Sequence, residues 1–314
     1  MSTRSFLILI RREIWEHRSL VWVPYVSATL TMVAALVGSN ILGSIQINID
    51  GDWWSAEQIG ESFFFKALAT DVATQSKLMS IWISAIGLPV IFVTSIVLYF
   101  YLIDSLYVER KERSILFWKS LPVSDAATVM SKVVTALVAI PIWVWLVSLV
   151  MGLLTFAIVA LKVSGTLLAP LANFYLGAWL VTQLTLLQNL FIAGLWYAPL
   201  AGWLLLISVW AKRAPFLWAI SPGFVALFEE IVFDTNYVIR LISFRLTHYL
   251  EEVSVVWDNK GGTSIEASIN AVQNAYSHLS AAPLLGELHL YTGLLAAAAL
   301  ILAAIRLRRW RDDT

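Results

Sequence analysis

The segment ERKERSILFWKSLPVSD, Glu109 to Asp125, is a charged interruption between two long apolar runs. It opens with five consecutive charged residues, and aromatic residues follow them. Phe117, Trp118 and Leu121 would share one face of a helix. Pro122 would end that helix, because proline lacks a backbone N–H and its ring collides with the preceding turn. The pattern therefore predicts a short amphipathic helix that stops abruptly.

The residues after the proline predict that a second helix begins at once. Ser124 is a suitable N-cap, and Asp125 places a negative charge in the first turn. We predict that residues 107–125 form a short helix joined at both ends to apolar helices. Its apolar face can be buried against a lipid surface or in a groove of a cytoplasmic partner.

The chain around this segment has the composition of a membrane protein. Of its 314 residues 59% are hydrophobic and 13% are charged, and that charged share is about half the usual value for soluble domains. Six apolar runs follow one another, and most reach the roughly 20 residues that a helix needs to cross a bilayer. The sequence predicts an all-α integral membrane protein with one transmembrane domain, residues 1–314.

The apolar runs divide the chain into spans and connections. The first 18 residues predict an interfacial helix, with a helical extension of the first span as the alternative, and no cleavable signal peptide is expected. The fifth span is the weakest, because the 15 uncharged residues 214–228 cover only about 22 Å of helix. The predicted organisation is an interfacial helix at 1–18, spans at 19–45, 78–103, 133–161, 174–211, 214–233 and 288–305, a cytoplasmic helix at 107–125 between spans two and three, and an outer region at 234–287.

Basic residues predict the orientation of the chain. With a cytoplasmic N-terminus and six spans, 15 of the 21 lysines and arginines fall in inner segments, as the positive-inside rule requires. Both termini and residues 107–125 are then cytoplasmic. The fifth span must cross, because otherwise the arginine-rich C-terminus would lie outside. We expect a multi-pass protein of the plasma membrane, the inner membrane in bacteria.

The opening segment resembles the connection between the second and third spans of type-2 ABC export permeases. Those proteins often carry Glu-Arg-Glu-x-Gly-Thr-Leu, then Leu-Pro-Val-Ser and a downstream lysine. Residues 109–115 read ERKERSI here, residues 121–124 read LPVS, and Lys132 follows. Arg113 and Ser114 depart from the common Gly-Thr pair. The layout of an interfacial helix, six spans and a large outer region between spans five and six is also similar to that family.

The resemblance implies a coupling mechanism and a set of partners. Two permease chains, identical or related, would pair in the bilayer, and each would dock its short cytoplasmic helix on one of two copies of a separate ATPase subunit, which binds ATP and Mg. The residues that the resemblance assigns to this coupling are Glu109, Arg110 and Glu112 as ion pairs at the joint, Phe117, Trp118 and Leu121 as the contact face, and Pro122 as its end.

Several classes of chemistry are excluded from this polypeptide. No lysine follows a glycine, so the chain has no P-loop and is not an ATPase by itself. The absence of cysteine excludes disulfides, thiolate catalysis and Cys-ligated metals. The four histidines lack metal-ligand spacing, and no basic stripe indicates nucleic acid. We expect no cofactor, metal or catalytic residue in this chain.

Two further groups of residues are candidates for a substrate pathway or gate. Glu229 and Glu230 close the fifth span, where carboxylates mark either a gate or the outer headgroup boundary. A second group would lie within about a third of the circumference of span four and would either line a substrate path or bond neighbouring helices. Its members are Thr182, Thr185, Gln188 and Asn189.

These features together favour the membrane-spanning permease subunit of an ABC exporter. Its substrate is expected to be hydrophobic or amphipathic, such as a drug, a lipid-like molecule or a peptide. One alternative is an ion-coupled secondary transporter, which would need ionisable residues near the middle of the bilayer and usually two related halves. Another is a non-transporting membrane anchor of a sensor or assembly complex.

Overall fold

The computed structural model describes residues 3–42, 46–49, 52–55, 80, 83–84, 87–112, 123–164, 176–253 and 280–310. Most of these residues are helical, and one short hairpin is present. In chain order the elements are α1 (Thr3–Glu16), α2 (Ser19–Leu42), β1 (Gln46–Ile49), β2 (Asp52–Ser55), α3 (Gly87–Asp104), α4 (Tyr107–Lys111), α5 (Asp125–Val134), a π-helical turn (Thr135–Ala139), α6 (Ile140–Ser164), α7 (Leu176–Trp196), α8 (Ala198–Trp210), α9 (Pro215–Ala219), α10 (Ser221–Phe233), α11 (Tyr237–Val253), a 3₁₀ turn (Ala282–Gly286) and α12 (Leu288–Trp310).

Four helical stretches of the described residues are long and apolar enough to cross a membrane. They are Gly87–Lys111, Asp125–Ile158, Leu176–Trp196 and Leu288–Trp310. Two shorter apolar helices, Ser19–Ala34 and Ala198–Trp210, accompany them. The helical character expected from the composition is therefore present, and the four stretches are compatible with a multi-pass membrane protein. The full set of six spans stays a prediction.

A small hairpin departs from the all-α prediction. Strands β1 and β2 pair antiparallel, with Ile47 opposite Trp54 and Asn48 opposite Trp53. The sequence Asp50-Gly51 between them is typical of two-residue hairpin connections. The long apolar runs that predict helices carry no information about such a short hairpin.

Prolines explain where the long helices are interrupted. The predicted fourth span is divided at Tyr197 into α7 and α8, two residues before Pro199. The π-helical turn ends two residues before Pro141, whose ring would otherwise collide with the carbonyl four residues earlier. The predicted fifth span is divided at Ile220 into α9 and α10, before Pro222. Helix α10 has 13 residues, so its length of about 20 Å is shorter than the hydrocarbon core.

The helices pack in two groups that share α12. Helix α8 packs extensively on α12, where a side-chain carbon added at Gly202 would lie 3.1 Å from Leu300 Cβ and 3.2 Å from the Ala297 carbonyl oxygen. Helix α2 packs on α3 and α6, and α1 packs on α5. A smaller core forms around the fully buried Trp196 and Leu284, where α7, α11 and the 3₁₀ turn meet.

The buried face of α1 is rotated from the face that the sequence predicts, which consists of Phe6, Leu7, Ile10 and Ile14. Three of these residues are half-buried, but Leu7 is 60% exposed. Leu9, which breaks the predicted pattern, is buried together with Glu13, one helical turn further on. Helix α1 ends at Glu16, and α2 starts at Ser19 as a separate helix. The buried face of α1 thus includes a carboxylate, that of Glu13.

Candidate functional site

A buried cluster of charged side chains lies where α1, α4, α5 and α12 meet. Each helix contributes one residue: Glu13, Glu109, Lys132 and Arg308. Glu13 and Lys132 are 0% exposed, and Glu109 and Arg308 are 6% and 3% exposed. Burying charges is costly unless they are paired with good geometry, so the contacts within the cluster decide its stability.

Lys132 is the centre of the cluster. Its Nζ donates to Glu13 Oε1 and Oε2 at 3.0 and 2.9 Å, and it lies 3.0 Å from Glu109 Oε1. Tyr101 Oη also donates to Glu13 Oε2, at 3.1 Å. One ammonium group thus joins carboxylates from α1 and α4, which are far apart in the sequence.

Two arginines complete the cluster. Arg308 Nη1 donates to Glu109 Oε2 at 2.7 Å, and its Nε donates to Asp125 Oδ1 at 3.1 Å. Arg12 Nη2 donates to Glu109 Oε1 at 3.0 Å. Three positive charges in the cluster face three negative charges: Arg12, Lys132 and Arg308 against Glu13, Glu109 and Asp125. A fourth carboxylate, Glu16, lies at the exposed edge, 3.0 Å from Arg12 Nε. The buried charges therefore have partners of opposite sign.

The three residues predicted to form ion pairs at the start of the coupling helix have different surroundings. Glu109 belongs to the cluster, whereas Arg110 donates to the carbonyl oxygens of Ser208 and Ala211, at 2.6 and 2.9 Å, at the end of α8. Glu112 is exposed, directly after α4. The predicted cap is confirmed, because Ser124 Oγ accepts a hydrogen bond from the backbone N–H of Ala127. The predicted contact residues, Phe117, Trp118, Leu121 and Pro122, lie outside the described residues.

The predicted polar face of span four is divided in the structure. Gln188 is exposed, whereas Asn189 is buried and its Oδ1 accepts from the backbone N–H of Ala281, at 2.8 Å. The hydroxyls of Thr182 and Thr185 donate to carbonyl oxygens one turn earlier in the same helix. Asn189 thus attaches α7 to the chain that precedes the 3₁₀ turn.

Gln183 also takes part in helix contacts, although the helical spacing places it outside the predicted polar face. Its side chain is buried, and its Nε2 donates to Ser84 Oγ at 2.9 Å. Trp145 Nε1 donates to the carbonyl oxygen of Gln183, at 3.0 Å. The side of α7 that faces the neighbouring helices is therefore wider than the face predicted from the sequence.

Glu229 and Glu230 lie in the last turn of α10 and have different surroundings. Glu230 is exposed. The carboxylate of Glu229 accepts from Thr235 Oγ1 at 2.9 Å and from the backbone N–H groups of Tyr237 and Val238 at 3.0 and 2.8 Å. These N–H groups are at the start of α11 and would otherwise lack helical partners. Glu229 therefore joins α10 to α11.

One group of described residues has the donor types of a metal site. Single ligand atoms of Glu13, Glu16 and His17 lie within 4.8 Å of one another. Both oxygens of Glu13 already accept from Lys132, so a cation would have to displace an ammonium group. Burial lowers the pKa of His17, whose ring packs edge-on against Tyr101 at 4.8 Å. These contacts describe an ion-paired helix junction rather than a metal centre.

The sequence alone did not identify most of this cluster. Lys132 is indicated only by the resemblance of residues 109–132 to type-2 ABC export permeases, and no sequence pattern indicates Glu13, Tyr101 or Arg308. A lysine followed by a long apolar run is a signal, because buried charges in membrane proteins need partners. The partner cannot be inferred from spacing, since Glu13 is 119 residues away in the chain.

Comparisons with known proteins do not assign this chain to a family. No family model, no curated protein and no solved structure matches it. The resemblance of residues 109–125 to type-2 ABC export permeases therefore remains a hypothesis.

Proposed function

We propose that this chain is the membrane-spanning permease subunit of an ABC exporter with six spans. It would move a hydrophobic or amphipathic substrate by using ATP that a separate ATPase subunit hydrolyses. The observation that supports this proposal is the buried ionic cluster at Glu109. It lies where the chain leaves α4 and enters the segment predicted to contact the ATPase.

A coupling element needs a stiff connection to the spans that it moves. Glu109 is bound by cations from three other helices: Lys132 of α5, Arg308 of α12 and Arg12 of α1. In a low-dielectric interior such contacts are strong and directional. If the ATPase displaced residues 107–125, α1, α5 and α12 would therefore move with them. Such a rigid-body movement would change one packing of the helices into another.

The positions of basic residues support the proposed orientation. Arg110 contacts the carbonyl of Ala211, so the exposed pair Lys212 and Arg213 lies close to the cluster. Exposed Arg309 is also at this end of the helices, next to Arg308. A shared basic end is what the positive-inside rule expects of a cytoplasmic surface.

The position of the buried charges favours this proposal over an ion-coupled secondary transporter. The cluster lies near one end of the helical stretches Asp125–Ile158 and Leu288–Trp310, at Lys132 and Arg308. Ion-coupled transporters place such groups near the middle of the bilayer, where the substrate and the ion bind. A cluster near the ends of long apolar helices suits a mechanical connection better than such a binding site.

In the proposed mechanism the chain has two kinds of protein partner. The aromatic face at Phe117, Trp118 and Leu121 would contact one ATPase copy, and a second permease chain would complete the pathway in the bilayer. ATP and Mg would be bound by the ATPase subunits alone. The polar positions in span four and the pair Glu229–Glu230 stay predictions for a substrate path and an outer gate.

The test compares the tagged parent chain with a double variant, Phe117→Ala with Trp118→Ala, each purified from its native membranes. We expect the parent to retain a stoichiometric ATPase subunit with vanadate-sensitive hydrolysis, and the variant to insert normally but lose it. Trp310→Ala is the matched control, because Trp310 is 82% exposed and lies at the same predicted cytoplasmic end. Stoichiometric ATPase bound to the variant, or export by the purified chain without a second polypeptide, would refute the proposal.

A further inference from the structure

Arg308 contacts both ends of the segment that we assign to ATPase coupling. Glu109 lies near the start of this segment, residues 107–125, and Asp125 is its last residue. We propose that Arg308 is a positioning residue that clamps the two ends of this segment together on α12. The clamp deepens the proposed function, because it adds α12 to the spans that the coupling segment moves.

The geometry requires an arginine at this position. Nη1 of Arg308 donates to Glu109 Oε2 at 2.7 Å while Nε donates to Asp125 Oδ1 at 3.1 Å. A guanidinium group presents several donors in a rigid plane, so one side chain holds two carboxylates in a defined arrangement. A lysine keeps the charge but lacks this fork. Arg308 is 3% exposed, whereas the next residue, Arg309, is exposed.

Helix α8 supplies a second attachment at the entry to the segment. Ser208 Oγ accepts from the backbone N–H groups of Leu106 and Tyr107, both at 2.9 Å. The guanidinium of Arg110 donates to the carbonyl oxygens of Ser208 and Ala211. The turn between α3 and α4 is therefore held by the end of α8.

The two helices that hold the segment also hold each other. Helices α8 and α12 pack extensively on each other, with a tight approach at Gly202. The covalent path from the segment to α3 passes through the turn at Ser105 and Leu106, within the helical stretch Gly87–Lys111. The two ends of the segment are thus attached to α8 and α12 as well as to their neighbours in sequence.

The chain contains no cysteine, so two engineered cysteines can carry spin labels without background. Lys111→Cys and Ala126→Cys are suitable, because both residues are exposed and lie within two residues of Glu109 and Asp125, the carboxylates that Arg308 contacts. In the parent we expect a narrow distance distribution by double electron–electron resonance. With Arg308→Gln we expect a broader distribution that stays narrower than the wide spread of a free 15-residue chain, because Lys132 and Arg12 still bind Glu109.

Three variants control this experiment. Arg309→Gln removes an exposed neighbouring charge and should leave the distribution narrow. Arg308→Lys should give an intermediate width, because the charge remains without the fork. Asp125→Asn removes one of the two contacts and provides the same test if Arg308→Gln fails to fold. A label pair at Leu180 and Leu295, both exposed, should be unchanged in every variant and separates local release from unfolding.

An unchanged distribution in folded Arg308→Gln, or in Asp125→Asn if it alone folds, would overturn the clamp. A broadening equal to that of Arg309→Gln would also overturn it. This measurement needs no ATPase, so its outcome is independent of the purification test of the proposed function. A clamp without any ATPase partner would leave Arg308 as a structural fastener and remove its role in coupling.

Discussion

Replacement of Lys132 by methionine is the most direct test of the buried ionic cluster. Methionine keeps an unbranched chain of similar length and removes only the charge and its hydrogen bonds. Lys132 is fully buried, and its Nζ lies within 3.0 Å of oxygens from both Glu13 and Glu109. The variant would leave these two carboxylates facing each other.

The expected loss of stability follows from these distances. Two oxygens that are each 3.0 Å from one nitrogen are at most about 6 Å apart, and at an effective dielectric constant of about 20 two unit charges at that distance repel by roughly 3 kcal/mol. Removal of one partner from a buried ion pair typically costs about 3–5 kcal/mol. We therefore expect Lys132→Met to lower the free energy of unfolding by about 3–5 kcal/mol.

A second substitution tests the cause. Glu13→Gln in the Lys132→Met background removes the repulsion while retaining an oxygen that can accept from Tyr101, so about 2–3 kcal/mol should be recovered. Unfolding can be followed in mixed micelles with increasing dodecyl sulfate, using the fluorescence of the 15 tryptophans. Lys111→Met at an exposed position is the control, with an expected change within about 0.5 kcal/mol. A loss below about 1 kcal/mol for Lys132→Met, or purely additive effects of the two substitutions, would contradict this reasoning.

Two further predictions concern helix packing. Gly202→Leu should destabilise the protein by about 1–3 kcal/mol or more, because the new side chain would meet Leu300 and the Ala297 carbonyl. Thermal unfolding measures this loss against Gly223→Leu, a control site where nothing lies within 4 Å of an added carbon. Equal effects of the two substitutions would refute the packing argument. Asn189→Leu should cost about 1–3 kcal/mol, because the buried N–H of Ala281 loses its acceptor; hydrogen exchange at Ala281 should rise, and exposed Gln188→Leu should leave it unchanged.

The sequence predicted those features that depend on local chemistry. Apolar runs indicated the membrane helices, because about 20 apolar residues in a row have few other stable environments. Ser124 was identified as a cap because its side chain serves an N–H only three residues away. The division of the predicted fifth span before Pro222 likewise has a local cause, because proline lacks an N–H and its ring collides with the preceding turn.

Tertiary structure alone decided which side chains meet. Leu9 and Glu13 form the buried face of α1 because Glu13 binds Lys132, a contact that no local pattern encodes. The pairing of Glu109 with Arg308 joins residues 199 positions apart. Short-range patterns report the preferences of one helix, whereas ion pairs between helices depend on how the helices are placed around each other. The sequence therefore determined that this chain is a bundle of apolar helices with a charged segment, and only packing determined that buried charges fasten that segment to α1, α5 and α12.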